Sequence, residues 1–135
     1  MKANFSPNTP IYIQIIKYIK TEIASRRWEI GSKIPTVREL AATLQVNQNT
    51  IQRAFQELEK EEIIITHRGM GRYVTTKEEK IKELLTQMIK ELVDNFINNM
   101  KNLNFNEEMI LLSLQSALYA DNLGSLNKRY TKTYV

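Results

Sequence analysis

The 135-residue chain has no cysteine, one histidine, three prolines and four glycines. Without cysteine there is no disulfide and no thiolate metal site, which fits a reducing compartment. A lone histidine, His67, leaves too few ligands for a histidine-built metal centre. Glycine is too sparse for a phosphate-cradling loop. The pair Gly69 and Gly71 is short and falls in a hairpin turn, not at a helix start. Glu61 and Glu62 make no working carboxylate pair, because adjacent helix positions point apart. No run of 18 apolar residues is long enough to span a membrane. The opening MKANFSPNTP lacks an apolar signal core, so the expectation is a cytoplasmic chain that is not exported. Together these absences argue against an enzyme, and no cofactor or metal is expected.

Charge is present, and it is uneven. Residues 1–76 hold 11 Lys+Arg against 7 Asp+Glu, whereas residues 77–135 hold 8 of each, so the whole net charge of +4 lies in the first part. A basic segment joined to a neutral one suggests a polyanion-binding unit attached to a unit with another task.

The most informative stretch is Ile34 to Leu58, IPTVRELAATLQVNQNTIQRAFQEL. Thr36 followed three residues later by Glu39 is a capping box. Leu40, Ala41 and Leu44 then recur at helical spacing. Asn47 is a good N-cap for a second helix, whose stripe is Ile51, Ala54, Phe55 and Leu58. The opposite face carries Gln48, Asn49, Gln52 and Arg53, side chains that can bond base edges, with no acid among them. Two short helices joined by a tight turn, the second polar at its exposed N-terminal end, predict a helix-turn-helix. The competing reading is a plain amphipathic pair with a solvated face.

Before this pair, Thr9 with Pro10 predicts a helix from Pro10 to about Arg26 after a loose arm. Its apolar face is Tyr12, Ile16, Ile19 and Ile23, with Ile15 beside it, and Lys17, Lys20 and Glu22 face outward. Trp28 is expected to anchor the following turn, and a very short strand precedes the capping box. After the pair, Ile63–Thr66 and Arg72–Thr76 read as strands around a turn at His67–Gly71. Arg68 and Arg72 flank the glycines at the tip, where the backbone can approach a phosphate or a minor groove closely. Three helices closed by a hairpin make a winged helix.

Lys77 to about Asn102 predicts a long helix and Glu107 to about Ala120 a shorter one, capped by Asn104 or Asn106 and ended at Gly124. The stripe of Leu85, Met88, Leu92, Phe96 and Met100 on the first, and Ile110, Leu114 and Leu118 on the second, is more apolar surface than two helices can enclose. A second chain would cover it through a two-fold interface. A ligand pocket is the lesser reading. The expected fold class is mainly α with a small β-hairpin. It comprises a winged helix-turn-helix (1–76), a two-helix C-terminal dimerisation segment (77–120) and a flexible tail (121–135).

From Pro10 to Val74 the chain resembles the DNA-binding domain of the GntR family of bacterial transcription regulators. The matching pieces, in order, are PIYIQIIKYIKTEI, GSKIPTVRELA, VNQNTIQRAFQELE and RGMGRYV. Thr36-Val37 before Arg38, the asparagine-rich start of the recognition helix and the short C-terminal part resemble the YtrA subfamily. Its members are dimeric repressors often placed with ABC-transporter genes. The resemblance implies that Arg38 contacts DNA and that Asn47, Gln48, Asn49, Thr50 and Gln52, with Arg53 beside them, meet bases and phosphates. It also implies that Arg68 and Gly69 enter the minor groove. Thr36 and Arg72 are grouped with this set. Gln45 and Glu62 stand where the family commonly has glycine. The expected partners are an inverted-repeat operator in double-stranded DNA, a second copy of the chain and a small-molecule effector, with no membrane. The alternative is a winged-helix protein-interaction module without DNA readout.

Overall fold

The computed structural model describes residues 5–129, with side chains as far as Asn122. Five helices and one two-stranded antiparallel sheet follow in the order α1 (Ile11–Ala24), α2 (Val37–Leu44), α3 (Gln48–Lys60), β1 (Ile64–His67), β2 (Gly71–Val74), α4 (Glu78–Asn102) and α5 (Glu107–Arg129). The chain divides into two compact units, the first ending at Met88 and the second beginning at Ile89.

In the first unit, α1 starts one residue later than predicted. Pro10 occupies the N-cap position and Thr9 makes no cap. Gln14 supplies the missing local bonds instead: its amide donates to the Ser6 and Thr9 carbonyls and accepts from the Ser6 amide, each at 2.7 Å. The arm is therefore tied down from Ser6 onward, and Phe5 packs against the core. The helix stops at Ala24, short of the predicted Arg26, which takes a left-handed conformation. Glu22 was expected to face outward but is buried. The 25–28 turn folds back over it, with the Trp28 amide bonded to the Glu22 carbonyl and Arg27 paired to its carboxylate at 3.0 Å.

The core forms where the predicted stripes converge. Ile15, Ile19 and Ile23 of α1 meet Leu40 and Leu44 of α2 and Ile51, Phe55 and Leu58 of α3. Burial of each such side chain contributes roughly 1.5–3 kcal/mol. β1 and β2 pair Ile64 with Val74 and Thr66 with Arg72. A single bridge from Lys33 to Tyr73 adds the short preceding strand as a third edge. Strand alternation decides which wing residues are buried: Ile64 and Val74 enter the core, while Ile65 and Tyr73 lie on the half-covered side. α4 contributes Ile81 and Leu84 to the same core, and Met88 packs against it.

In the second unit, Asn104 is left-handed and closes α4, while Asn106 caps α5 by accepting from the Met109 amide at 2.9 Å. Ile110 is buried there. The helix continues past Ala120 and through Gly124 to Arg129, so the predicted stop and the start of the flexible tail are corrected over 121–129. One interior glycine costs only about 1 kcal/mol relative to alanine, and no proline follows to enforce a stop. The rest of the expected tail, 130–135, lies outside the described residues.

Candidate nucleic-acid interface

The site is built on the two helix starts and the wing. Thr36 and Glu39 form the capping box. The Glu39 amide donates to the Thr36 hydroxyl at 3.1 Å, and the Glu39 carboxylate accepts from the Thr36 amide at 3.0 Å. The Thr36 amide and hydroxyl together hold the Glu39 carboxyl below the usual carboxylate range. The acid is thus engaged in the cap, and Arg38 beside it is exposed. Gln45 ends α2 in a left-handed conformation, φ 57° and ψ 50°, the geometry that the tight turn requires.

Asn47 caps α3 by accepting from the Asn49 amide at 2.8 Å. Its side chain is therefore committed to the helix end. Gln48, Asn49 and Arg53 are exposed, while Thr50 and Gln52 are half-buried. All of these lie within the first six residues of α3, so this end of the helix presents amides and one guanidinium outward. Arg53 is held against α1, its guanidinium 3.7 Å from the centre of the Tyr12 ring.

The wing tip is Arg68, Gly69 and Met70, all exposed. Gly69 has φ +78°, and a side chain there would meet open space, so the conformation rather than crowding calls for glycine. Gly71 is different: with φ +118°, a Cβ would come within 2.8 Å of Lys33 Cε. His67 and Tyr73 stack edge to face behind the tip, 5.0 Å between ring centres. Arg72 is not at the free surface with Arg68. It is half-buried, bonded to Glu59 of α3 and lying over Phe55.

The arginines of the first unit sort by partner. Arg26, Arg27 and Arg72 each pair with a carboxylate, of Glu78, Glu22 and Glu59. Among the described residues, Arg38, Arg53 and Arg68 pair with none. These three stand at the start of α2, on the outer face of α3 and at the wing tip. Fold and site together define a winged-helix DNA-binding protein.

The comparisons agree. Residues 11–74 match the bacterial regulatory proteins, gntR family. The chain is 34% identical over 116 residues to the HTH-type transcriptional regulator YhcF of Bacillus subtilis, covering 86% of this chain and 96% of that protein. It is 40% identical over 91 residues to the HTH-type transcriptional repressor YtrA of the same organism, covering 64% of this chain and 70% of the relative. Among solved structures, a GntR family transcriptional regulator from Listeria monocytogenes superposes with a TM-score of 0.79 at 46% identity, covering 83% of this chain and 98% of that one. The AraR DNA-binding domain in complex with operator ORX1 superposes with a TM-score of 0.51 at 25% identity, covering 56% of this chain and 95% of that one. The protein therefore belongs to the gntR family of bacterial regulatory proteins, with YtrA-type regulators among its relatives.

The contacts of Tyr12 with Arg53 and of Glu59 with Arg72 are not legible in the sequence. Tyr12 sits in an apolar stripe and Glu59 in a charged run, and neither pattern reveals a partner brought in from a distant segment. Among the described residues no cluster of acids or histidines is placed to hold a metal ion, and no helix is long and apolar enough to cross a membrane.

Proposed function

We propose that the protein is a homodimeric transcriptional repressor that binds an inverted-repeat operator. The observation that carries the DNA-binding part of the reading is the sorting of the arginines: among the described residues, those without a carboxylate partner are Arg38, Arg53 and Arg68, on the outer surfaces of α2, α3 and the wing. Arg38 and Arg68, with Arg53, would neutralise phosphates and supply salt-dependent affinity. Gln48, Asn49 and Gln52 would read base edges, each good bidentate contact worth about 1–3 kcal/mol. Asn47 and Thr36 would contribute through the helix ends they cap, Thr50 by meeting a base or phosphate beside them, and Gly69 through close approach of the wing backbone.

Pairing of two chains is supported by apolar side chains left uncovered in one. On α4, Leu85, Leu92 and Phe96 are exposed, Leu92 by 63%, and on α5 so are Leu114 and Leu118. Met100, half-buried, completes the proposed seam. Two residues leave it: Met88 packs on the first unit's core and Ile110 is buried within the second unit. The winged helix up to residue 76 would then read DNA, and residues 77–120 would join two copies about a two-fold axis.

Repression, rather than activation, is supported by the relative described as a repressor. Control of a transporter operon, in the cytoplasm, is the setting that likeness to the YtrA subfamily implies. A small-molecule effector would act by preferring one spacing of the two winged helices, since equal affinity for both would shift nothing.

Sedimentation of the free protein and of its complex with duplex DNA tests the assembly. Two chains per particle, free and bound, are expected, and Leu92→Asp should give single chains that bind weakly. A monomeric wild type with one chain per duplex would overturn the homodimer.

A further inference from the structure

We infer that Tyr12 is a positioning residue for DNA binding: its ring holds the Arg53 guanidinium on the flank of the recognition helix, aimed at the phosphate backbone. The inference rests on the reading of Arg53 as a DNA contact and adds the residue through which that contact is set.

The two residues lie far apart in the domain's sequence. Tyr12 is the second residue of α1, and Arg53 lies in the second turn of α3. The packing of α1 on α3 brings them together, with the guanidinium 3.7 Å above the ring centre, close enough for face-on contact. Tyr12 is half-buried and therefore steadied by its surroundings, whereas Arg53 is exposed. No carboxylate pairs with Arg53 among the described residues.

This geometry has a chemical consequence. A stacked guanidinium has one face covered, but its N–H donors lie in its plane and stay free at the edges. An arginine held so is pre-organised for two parallel bonds to a phosphate, and less rotamer freedom is lost on binding. The ring holds the side chain on the flank of α3 that faces α1. Arg53 is thus placed for the groove edge, where the phosphates run, more than for its floor. The half-buried Arg72 over Phe55 offers an internal contrast. That guanidinium is also near a ring, but at 5.0 Å, and its Nε–H is tied to Glu59.

The test is a double-mutant cycle on the full chain, read as affinity for a duplex of mixed sequence over a range of salt. A phosphate contact does not depend on base sequence, so no operator is needed. Arg53→Ala should weaken binding and flatten the dependence of log affinity on log salt by about one unit per chain bound. Tyr12→Leu should weaken binding about two- to fivefold, the scale of an exposed cation–π contact. In the Arg53→Ala background Tyr12→Leu should have no further effect, and Tyr12→Phe, which keeps the ring face, should bind like wild type. Thermal midpoints of all variants show whether folding is intact. Equal losses from Tyr12→Leu with and without Arg53 would overturn the positioning role while leaving Arg53 as a DNA contact. An Arg53→Ala variant that binds with unchanged affinity and salt slope would instead remove Arg53 from the interface, and the role of Tyr12 with it.

Discussion

Arg72 in β2 and Glu59 in α3 are joined at 2.6 Å, Nε to Oε1, with the guanidinium spread over Phe55. The wing, whose Ile64 and Val74 already enter the core, is thereby also strapped to α3 at the first unit's surface. Both side chains are less than one-third exposed, so the pair stabilises by about 1 kcal/mol, above the median for exposed pairs. Arg72→Ala should lower the thermal midpoint by about 3–5 °C and weaken DNA binding without relaxing base preference. Arg72→Lys should recover little, because a point charge cannot lie flat over Phe55 while bonding Glu59. An unchanged midpoint, measured by circular dichroism, would contradict the strap.

Arg38 and Arg68 should behave differently. Both are exposed and unpaired, so Arg38→Ala and Arg68→Ala are expected to leave the folding stability within about 0.5 kcal/mol of wild type. Each should weaken DNA binding and reduce the salt slope, whereas Gln48→Ala should change which base is preferred at one position. Fluorescence anisotropy with salt titration distinguishes the two effects. Unaltered affinity for both arginine variants would remove α2 and the wing tip from the interface.

Gln45 adopts φ 57°, a left-handed conformation that costs a non-glycine residue about 1 kcal/mol. Gln45→Gly should raise stability by a fraction of that amount, since glycine gains conformational freedom in the unfolded chain. Glu62, at φ 60°, offers a comparison. Its carboxylate lies 3.6 Å from Lys80, so Glu62→Gly relieves strain but also removes an ion pair and should gain less. Chemical denaturation gives both values, and a destabilised Gln45→Gly would show that the strain at the turn is smaller than the entropy glycine adds to the unfolded chain.

Acid should loosen the domain through two carboxylates. The Thr36 amide and hydroxyl lower the pKa of Glu39, and the Arg26 guanidinium lowers that of Glu78. A carboxyl lowered in the folded state binds its proton more readily when unfolded. Its stabilisation is present above the unfolded pKa, about 4.3, and is lost as pH falls through the folded value. The thermal midpoint should therefore drop as pH is taken from 6 toward 3. Glu39→Gln and Glu78→Gln should each flatten that drop, and a profile parallel to wild type would contradict the assignment.

Features made by neighbours in sequence were the legible ones. The Thr36–Glu39 box, the Asn47 cap and the buried face of Ile51, Ala54, Phe55 and Leu58 follow from spacing alone. The left-handed turn at Gln45 was legible from the place where the family carries glycine. Features made across the fold were not. Glu22 has a polar side chain at a position that looks solvent-facing, and its burial depends on how the 25–28 turn returns. Arg68 and Arg72 look equivalent on either side of the wing turn, yet pleat and register send one to the tip and the other to Glu59. Arg53 reads as one more polar residue until α1 brings Tyr12 beneath it. At the far end, Gly124 looked like a stop, but its cost is too small to end a helix without a terminating partner.

Selection of random duplex DNA on the purified protein, followed by sequencing of what is retained, tests the central claim most directly. A dimeric reader should enrich two inverted copies of one short half-site, their centres about one or two DNA turns apart, at roughly 34 Å per turn. The Arg38→Ala variant should show reduced retention of the same consensus. Enrichment of a single, unrepeated site would contradict the two-fold arrangement, and no enrichment over input, with or without cell extract supplying a co-repressor, would contradict sequence-specific DNA reading itself.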